Sequence, residues 1–206
     1  MASQSVWYFT DLPKNIIETV EKDLEERYDN NLSESKLHGD VLDTERRHSK
    51  NTWIPTYHWI SGFLWHYVEM ANRENFLYDI RNIDGENLQY AHYGVGEYYK
   101  WHNDAGISNL YTPKARGNRG IEIAQDHLNT QAELVRKLSF TLQLSNPEDY
   151  EGGQVQFLDE NGRTYFAPRR RGTLVLFDSR TQHRVLKVTK GLRKSIVGWV
   201  VGPRWK

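Results

Sequence analysis

From about residue 86 to residue 201 the chain is built of short runs with a period of two, each closed by a turn signal. Leu88, Tyr90 and His92 alternate with Gln89, Ala91 and Tyr93, and Leu138, Phe140, Leu142 and Leu144 alternate with Lys137, Ser139, Thr141 and Gln143. Further strand-like runs cover 154–158, 173–177, 183–188 and 193–201. Between the runs stand Asn146-Pro147, Gly152-Gly153, Asn161-Gly162, Arg171-Gly172 and Lys190-Gly191. Side chains on a strand alternate between its two faces, so a period of two asks for a sheet with two distinct environments. Many short strands at this spacing predict a barrel or a sandwich.

The first 85 residues read differently. Asp11 is placed to cap a helix with Pro13 in its first turn and Ile16, Ile17, Val20 and Leu24 on one face. A polar, turn-rich stretch runs from Asp29 to about Lys50. A second helix is predicted over 56–72, where Ile60, Phe63, Leu64, Tyr67, Val68 and Ala71 recur at helical spacing. The expected organisation is one domain over 1–206, mainly β with N-terminal helices. Residues 1–85 form a helical support and 86–206 the core. The segment 105–135 interrupts the strands with Gly106, Pro113, Gly117 and Gly120, and Thr130 with Glu133 could cap a short helix there. A connection of this length is expected to be functional, and its position suggests a lid.

Charge and cysteine content narrow the function classes. Lys+Arg and Asp+Glu number 27 each, so no net field favours nucleic acid or a membrane surface. There is no cysteine, which removes disulfides, thiolate metal sites and a cysteine nucleophile. Any metal must be held by histidine and carboxylate. The N-terminus does not read as a signal peptide, and no run is apolar enough to span a bilayer. The expectation is a soluble protein of the cytoplasm, that of a host cell if the chain is viral.

The residues that carry chemistry lie in Tyr93-Gly94-Val95-Gly96-Glu97-Tyr98-Tyr99-Lys100-Trp101-His102-Asn103-Asp104. His102 and Asp104 are two apart, so on extended chain they point the same way and could share one ion. Alone, such a triplet is common by chance, and a surface histidine beside a loop aspartate is its bland explanation. His183 offers a third ligand. Arg193 and Ser195 share a strand face, and a buried cation there needs an anionic partner. Two histidines and one aspartate match the donor set of a non-haem iron(II) facial triad. Tyr98, Tyr99 and Trp101 read first as barrel aromatics, with Tyr99 open to either role, and Arg169-Arg170-Arg171 as a solvated turn. Gly152-Gly153 reads as a tight turn, and His92 as a packing residue facing away from Tyr93.

The ordered set Tyr93-x-x-Gly96-x-x-Tyr99-x-x-His102-x-Asp104, 138–144, Tyr150-Glu151-Gly152-Gly153, 154–157, 172–177, His183 and Arg193 resembles the prolyl-4-hydroxylase-like branch of the 2-oxoglutarate/Fe(II) dioxygenases. The similarity covers roughly residues 86–201. It implies a double-stranded β-helix (jelly roll) in which His102, Asp104 and His183 hold Fe(II). It implies that Arg193 pairs with the distal carboxylate of 2-oxoglutarate, with Tyr93 and Ser195 beside it. Arg193 stands where many prolyl hydroxylases carry lysine, and it matches bacterial and phage-type relatives. The implied activity is hydroxylation of a peptidyl residue such as proline, using dioxygen and converting 2-oxoglutarate to succinate and carbon dioxide. Ascorbate is implied as a further ligand. A free amino acid or small metabolite is the alternative substrate. A metal-binding jelly roll without oxygen chemistry, a metal-dependent hydrolase and a structural protein are the alternative classes. The first has no use for the Arg193 cation, and the last leaves the whole residue set unexplained.

Overall fold

The computed structural model describes residues 5–36, 42–83, 87–105, 134–203 and 205. The first part of the chain forms β1 (Val6–Phe9), α1 (Lys14–Tyr28), β2 (Ser33–Glu34), β3 (Arg47–His48), β4 (Lys50–Pro55), α2 (Trp59–Ala71) and β5 (Asn82–Ile83). Then come β6 (Asn87–Tyr93), β7 (Tyr98–His102), β8 (Leu134–Gln143), β9 (Tyr150–Gly152) and β10 (Val155–Leu158). The chain closes with β11 (Thr164–Phe166), β12 (Leu174–Asp178), β13 (His183–Val185), β14 (Val188–Gly191) and β15 (Arg193–Pro203). Of the segment 105–135 expected to form a lid, residues 106–133, with the capping pair Thr130 and Glu133, lie outside the described residues, and Leu134 and Val135 already belong to β8. No described helix is long and apolar enough to cross a membrane.

Antiparallel pairing gives a major sheet in the order β1-β12-β8-β15-β6-β4-β2, with β5 on the far part of β15. A minor sheet runs β11-β10-β13-β7-β3, and β14 pairs with β9. The two sheets face one another as the jelly roll expected from the sequence. The first 85 residues carry both helices and also β1 to β5. β1 adds an edge to β12, and β4 extends β6 from Lys50↔His92 to Pro55↔Asn87. Sequence reading placed no strand at 50–55, because lysine, asparagine and proline mask its period.

The period of two explains how the major sheet divides its side chains. Leu88, Leu138, Phe140, Leu142, Leu176 and Ile196 point outward, where α1 and α2 cover them with Ile17, Val20, Leu24, Ile60, Leu64 and Val68. Burying one such aliphatic side chain stabilises the fold by about 1.5–3 kcal/mol. The alternate residues point between the sheets. There Ala91, Tyr93, Val175 and Phe177 meet Val155, Phe157 and Val185 of the minor sheet. This inner face also holds Ser139, Thr141, Gln143, Arg193 and Ser195, all buried. Polar groups sealed in this way need partners, and their concentration on one face makes the interior the candidate site.

The helix boundaries differ from expectation in one detail. α1 begins after Pro13 with no side-chain cap, and Asp11 is exposed, 4.0 Å from Arg170. Pro13 itself takes the cap position, where its ring offers no acceptor and only its carbonyl serves the helix, receiving the Ile16 and Ile17 N–H groups at 3.0 and 3.2 Å. α2 starts at Trp59, three residues later than expected, with the His58 ring accepting from Ile60 N at 3.4 Å.

His92 lies on the helix-covered face, as its opposition to Tyr93 requires, against Tyr90 with ring centroids 4.5 Å apart. Burial pushes its imidazole down to about 4, against the opposing pull of Asp29. The folded value lies below the ordinary one, so the unfolded chain takes up the proton first. Stability is therefore lost as pH falls from about 6.5 towards about 4. In urea unfolding, lowering the pH from 7 to 5 should cost the wild type on the order of 2 kcal/mol more than it costs His92→Gln. Equal losses would show that His92 titrates freely in the folded protein.

Candidate active site

His102 ends β7 and His183 begins β13, and the two are direct partners across that strand pair. The next pairing is Val185 with Tyr99, so β7 carries one residue more than β13 between the two positions. This bulge turns Tyr99 and His102 to the same side, and their rings stack at 3.5 Å with an interplanar angle of 16°. Bulges of this kind re-aim side chains beside active sites. Asp104 follows β7 and is tied back to the β12–β13 turn, because the backbone N–H groups of Asp104 and Ala105 both donate to the Ser179 carbonyl, at 2.8 and 2.9 Å.

These elements bring His102, Asp104 and His183 together, one donor atom from each lying within 4.8 Å of the others. His102 Nε2 is 3.7 Å from Asp104 Oδ1, and His183 Nε2 is 3.6 Å from Asp104 Oδ2. His102 Nδ1 lies 2.8 Å from the Lys100 carbonyl and His183 Nδ1 lies 3.0 Å from the Thr181 carbonyl. A carbonyl only accepts, so each Nδ1 must carry the hydrogen, and Nε2 is the nitrogen each ring turns towards Asp104. Burial, reinforced by the neighbouring His183, pushes the His102 imidazole down to about 3. Burial alone would raise Asp104, but the two imidazoles and the Ser139 hydroxyl that donates to it hold it below the usual carboxylate range. Ser139 is itself held by Ser179, with their oxygens 3.0 Å apart. Two imidazole Nε2 atoms and a carboxylate held in its ionised form, converging on one point, suit a divalent ion such as Fe(II).

A second polar group occupies the same interior. Arg193 is 3% exposed, donates to Ser195 Oγ at 3.3 Å, and lies 5.6 Å from the ring centre of Tyr93, its cross-strand partner. Burial lowers its guanidinium, and nearby Tyr150 and Tyr93 oppose that shift. A cavity beside it is lined by Thr141, Gln143, Tyr150, Arg169 and Thr173. The Thr141 and Thr173 hydroxyls are buried there without a hydrogen-bond partner. Thr141 is two residues along β8 from Ser139, roughly 7 Å of strand, which is on the scale of a five-carbon diacid. Gly153, at φ 64°, lets β9 approach this group. A Cβ there would lie 2.9 Å from Val188 Cγ2 and 3.2 Å from Arg193 Cδ. The glycine pair thus serves a close approach as well as a turn.

The residues singled out from sequence therefore fall into two clusters on one interior. His102, Asp104 and His183 form one, and Tyr93, Arg193 and Ser195 the other. Sequence reading missed Ser139 and Ser179 behind Asp104, and Tyr150 with Arg169 beside Arg193. The hydroxyls on β8 had a usable signal, since Ser139, Thr141 and Gln143 put three polar residues on one face of a buried strand. The arginine run is corrected. Arg170 is exposed, but Arg169 bonds the Pro147 and Tyr150 carbonyls, and Arg171 bonds the Leu144 carbonyl and Glu21.

Comparisons with known proteins agree with this arrangement. Residues 88–201, more than half of the chain, match the 2OG-Fe(II) oxygenase superfamily, and the chain belongs to that family. A PKHD-type hydroxylase of Parvibaculum lavamentivorans is 48% identical over 63 residues, a match covering 31% of this chain and 28% of that relative's own length. A prolyl-4-hydroxylase of Pseudomonas putida has the same fold at 17% identity, with a TM-score of 0.67 over 98% of this chain and 94% of that one. A Trichoplax adhaerens prolyl hydroxylase, solved with a hypoxia inducible factor peptide fragment, aligns at 17% identity with a TM-score of 0.71 over 96% and 84%.

Losing one ligand should be distinguishable from losing its support. His183→Ala should abolish stoichiometric Mn(II) binding in calorimetry. Ser139→Ala should leave binding intact but weaken it about 10-fold, at the lower end of the effect of ligand-supporting groups. Undiminished affinity in both variants would remove the metal from this cluster.

Proposed function

We propose that the protein is an Fe(II)- and 2-oxoglutarate-dependent hydroxylase acting on a peptidyl residue such as proline. The observation that carries this reading is the pair of clusters on one barrel interior, three metal donors at one end and a buried guanidinium at the other. When bound, iron and 2-oxoglutarate supply the oxidation: dioxygen is split between the hydroxylated substrate and succinate, with release of carbon dioxide. His102, Asp104 and His183 would hold the ion on one side and leave its other side open. Arg193, with Ser195 and Tyr93, would fix the tail carboxylate through charge-assisted hydrogen bonds and so orient the keto acid. The apolar wall of Val175, Phe177, Phe157 and Val185 excludes water from the reacting end.

A peptidyl substrate is supported by the similarity to proteins named as prolyl hydroxylases, one of them solved with a peptide. The alternative classes fare less well. A hydrolase or a carbohydrate-binding jelly roll would not require a cation sealed 3% exposed beside unpartnered hydroxyls.

Succinate release, with Fe(II), 2-oxoglutarate and ascorbate supplied, tests the reading. Proline-containing peptides should raise turnover well above the uncoupled rate, and mass spectrometry should find an added oxygen on the peptide. Arg193→Met should raise the 2-oxoglutarate KM at least ~10-fold, since a charge-assisted hydrogen bond contributes about 1.5–3 kcal/mol. Stimulation by free amino acids alone would exclude a peptidyl substrate. An absence of succinate under every condition would exclude the activity.

A further inference from the structure

The Tyr150 hydroxyl is surrounded by donors. Gln143 Nε2 donates to it at 3.1 Å and Arg169 Nε at 3.4 Å, and the Arg193 guanidinium lies beside the same oxygen. The amide orientation of Gln143 is fixed independently, because the same nitrogen donates to the Ser145 carbonyl at 3.2 Å. A phenol has one hydrogen to give, and none of these three groups can accept it. Tyr150 is 2% exposed, so water is not freely available. The Thr141 and Thr173 hydroxyls, buried in the same cavity, also lack partners. Among the described residues neither Arg169 nor Arg193 has a carboxylate within 4.0 Å. Arg169 bonds only the Tyr150 hydroxyl and two backbone carbonyls, and Arg193 only Ser195 and Tyr150.

Two guanidiniums and three hydroxyls around one cavity, with no carboxylate of the described residues pairing them, form a cradle suited to an anion. We propose that Tyr150 is a direct ligand of the co-substrate's tail carboxylate, donating its hydroxyl hydrogen alongside Arg193. Arg169 is its positioning residue. This rests on the proposed use of 2-oxoglutarate and adds to it a hydroxyl from β9 and a second cation from the β11–β12 connection. Arg169 acts through Tyr150: it lies over that ring, 4.5 Å from its centre, and bonds both its hydroxyl and its carbonyl. The phenol cannot rotate away, and with its lone pairs occupied its hydrogen is left for the ligand. The cradle selects a 2-oxo acid with a second carboxylate over one with an apolar tail.

Calorimetry on full-length, Mn(II)-loaded protein tests this without turnover. Tyr150→Phe keeps the ring and removes the hydroxyl. It should weaken 2-oxoglutarate about 10-fold while leaving both Mn(II) affinity and 2-oxobutanoate affinity unchanged. Arg169→Met should weaken 2-oxoglutarate several-fold, with recovery in Arg169→Lys. Adding Arg169→Met to Tyr150→Phe should cost little more than Tyr150→Phe alone. Wild-type 2-oxoglutarate affinity in Tyr150→Phe, with loss in Arg193→Met, would overturn the assignment of Tyr150 and leave the co-substrate reading standing. Equal wild-type affinities for 2-oxoglutarate and 2-oxobutanoate, insensitive to Arg193→Met, would instead remove the co-substrate reading itself. Fully additive losses in the double variant would overturn the positioning role of Arg169.

Discussion

The antiparallel pairing of β13 with β7 holds the site together. It sets His183 directly opposite His102 across 81 positions of sequence, and the one-residue bulge beside that pair decides which way the rings face. A register slip of one residue would send His183 to the outer face of the minor sheet, because side chains alternate strictly along a strand. The backbone carbonyls of Lys100 and Thr181 then fix each ring by its Nδ1 hydrogen. Asp104 arrives by another route, through two backbone hydrogen bonds to Ser179 and the hydroxyl pair Ser139–Ser179. The three candidate ligands are thus positioned by separate supports, so no single contact fixes the geometry.

The major sheet solves a second problem, which is how to keep charge inside a protein without unfolding it. Its outer face is sealed by α1 and α2 over an apolar cluster, and this supplies the stability. Its inner face can then carry polar residues at alternate positions of β8 and β15. Buried unpaired polar groups are costly, so the site is stabilised by ligands that complete it. Metal and diacid binding should therefore be linked to folding, because each supplies partners that the isolated chain lacks.

Much of this was legible in sequence, for identifiable reasons. The runs at 88–93 and 138–144 show alternation because their two faces differ, and Asn146-Pro147 marks the end of the second. His102 and Asp104 are two apart and share a side of extended chain, but only the whole motif order, with His183 in it, raised the triplet above chance. β4 was not legible, because its burial comes from tertiary neighbours rather than from an apolar period. The roles proposed for Tyr150 and Arg169 were hidden for a similar reason. One sits in what reads as a turn and the other in a run of arginines. Only the approach of β9, made possible by Gly153, brings them to Arg193. Local pattern reveals elements and ligands close in sequence, while contacts between distant turns require the fold.

A crystal structure grown without dioxygen, with Mn(II) and 2-oxoglutarate, tests the central claim most directly. The account expects one ion bound by His102, Asp104 and His183, chelated by the keto acid, whose tail carboxylate reaches Arg193 between the two sheets. An ion held elsewhere, or a keto acid with its tail pointing away from Arg193, would contradict it.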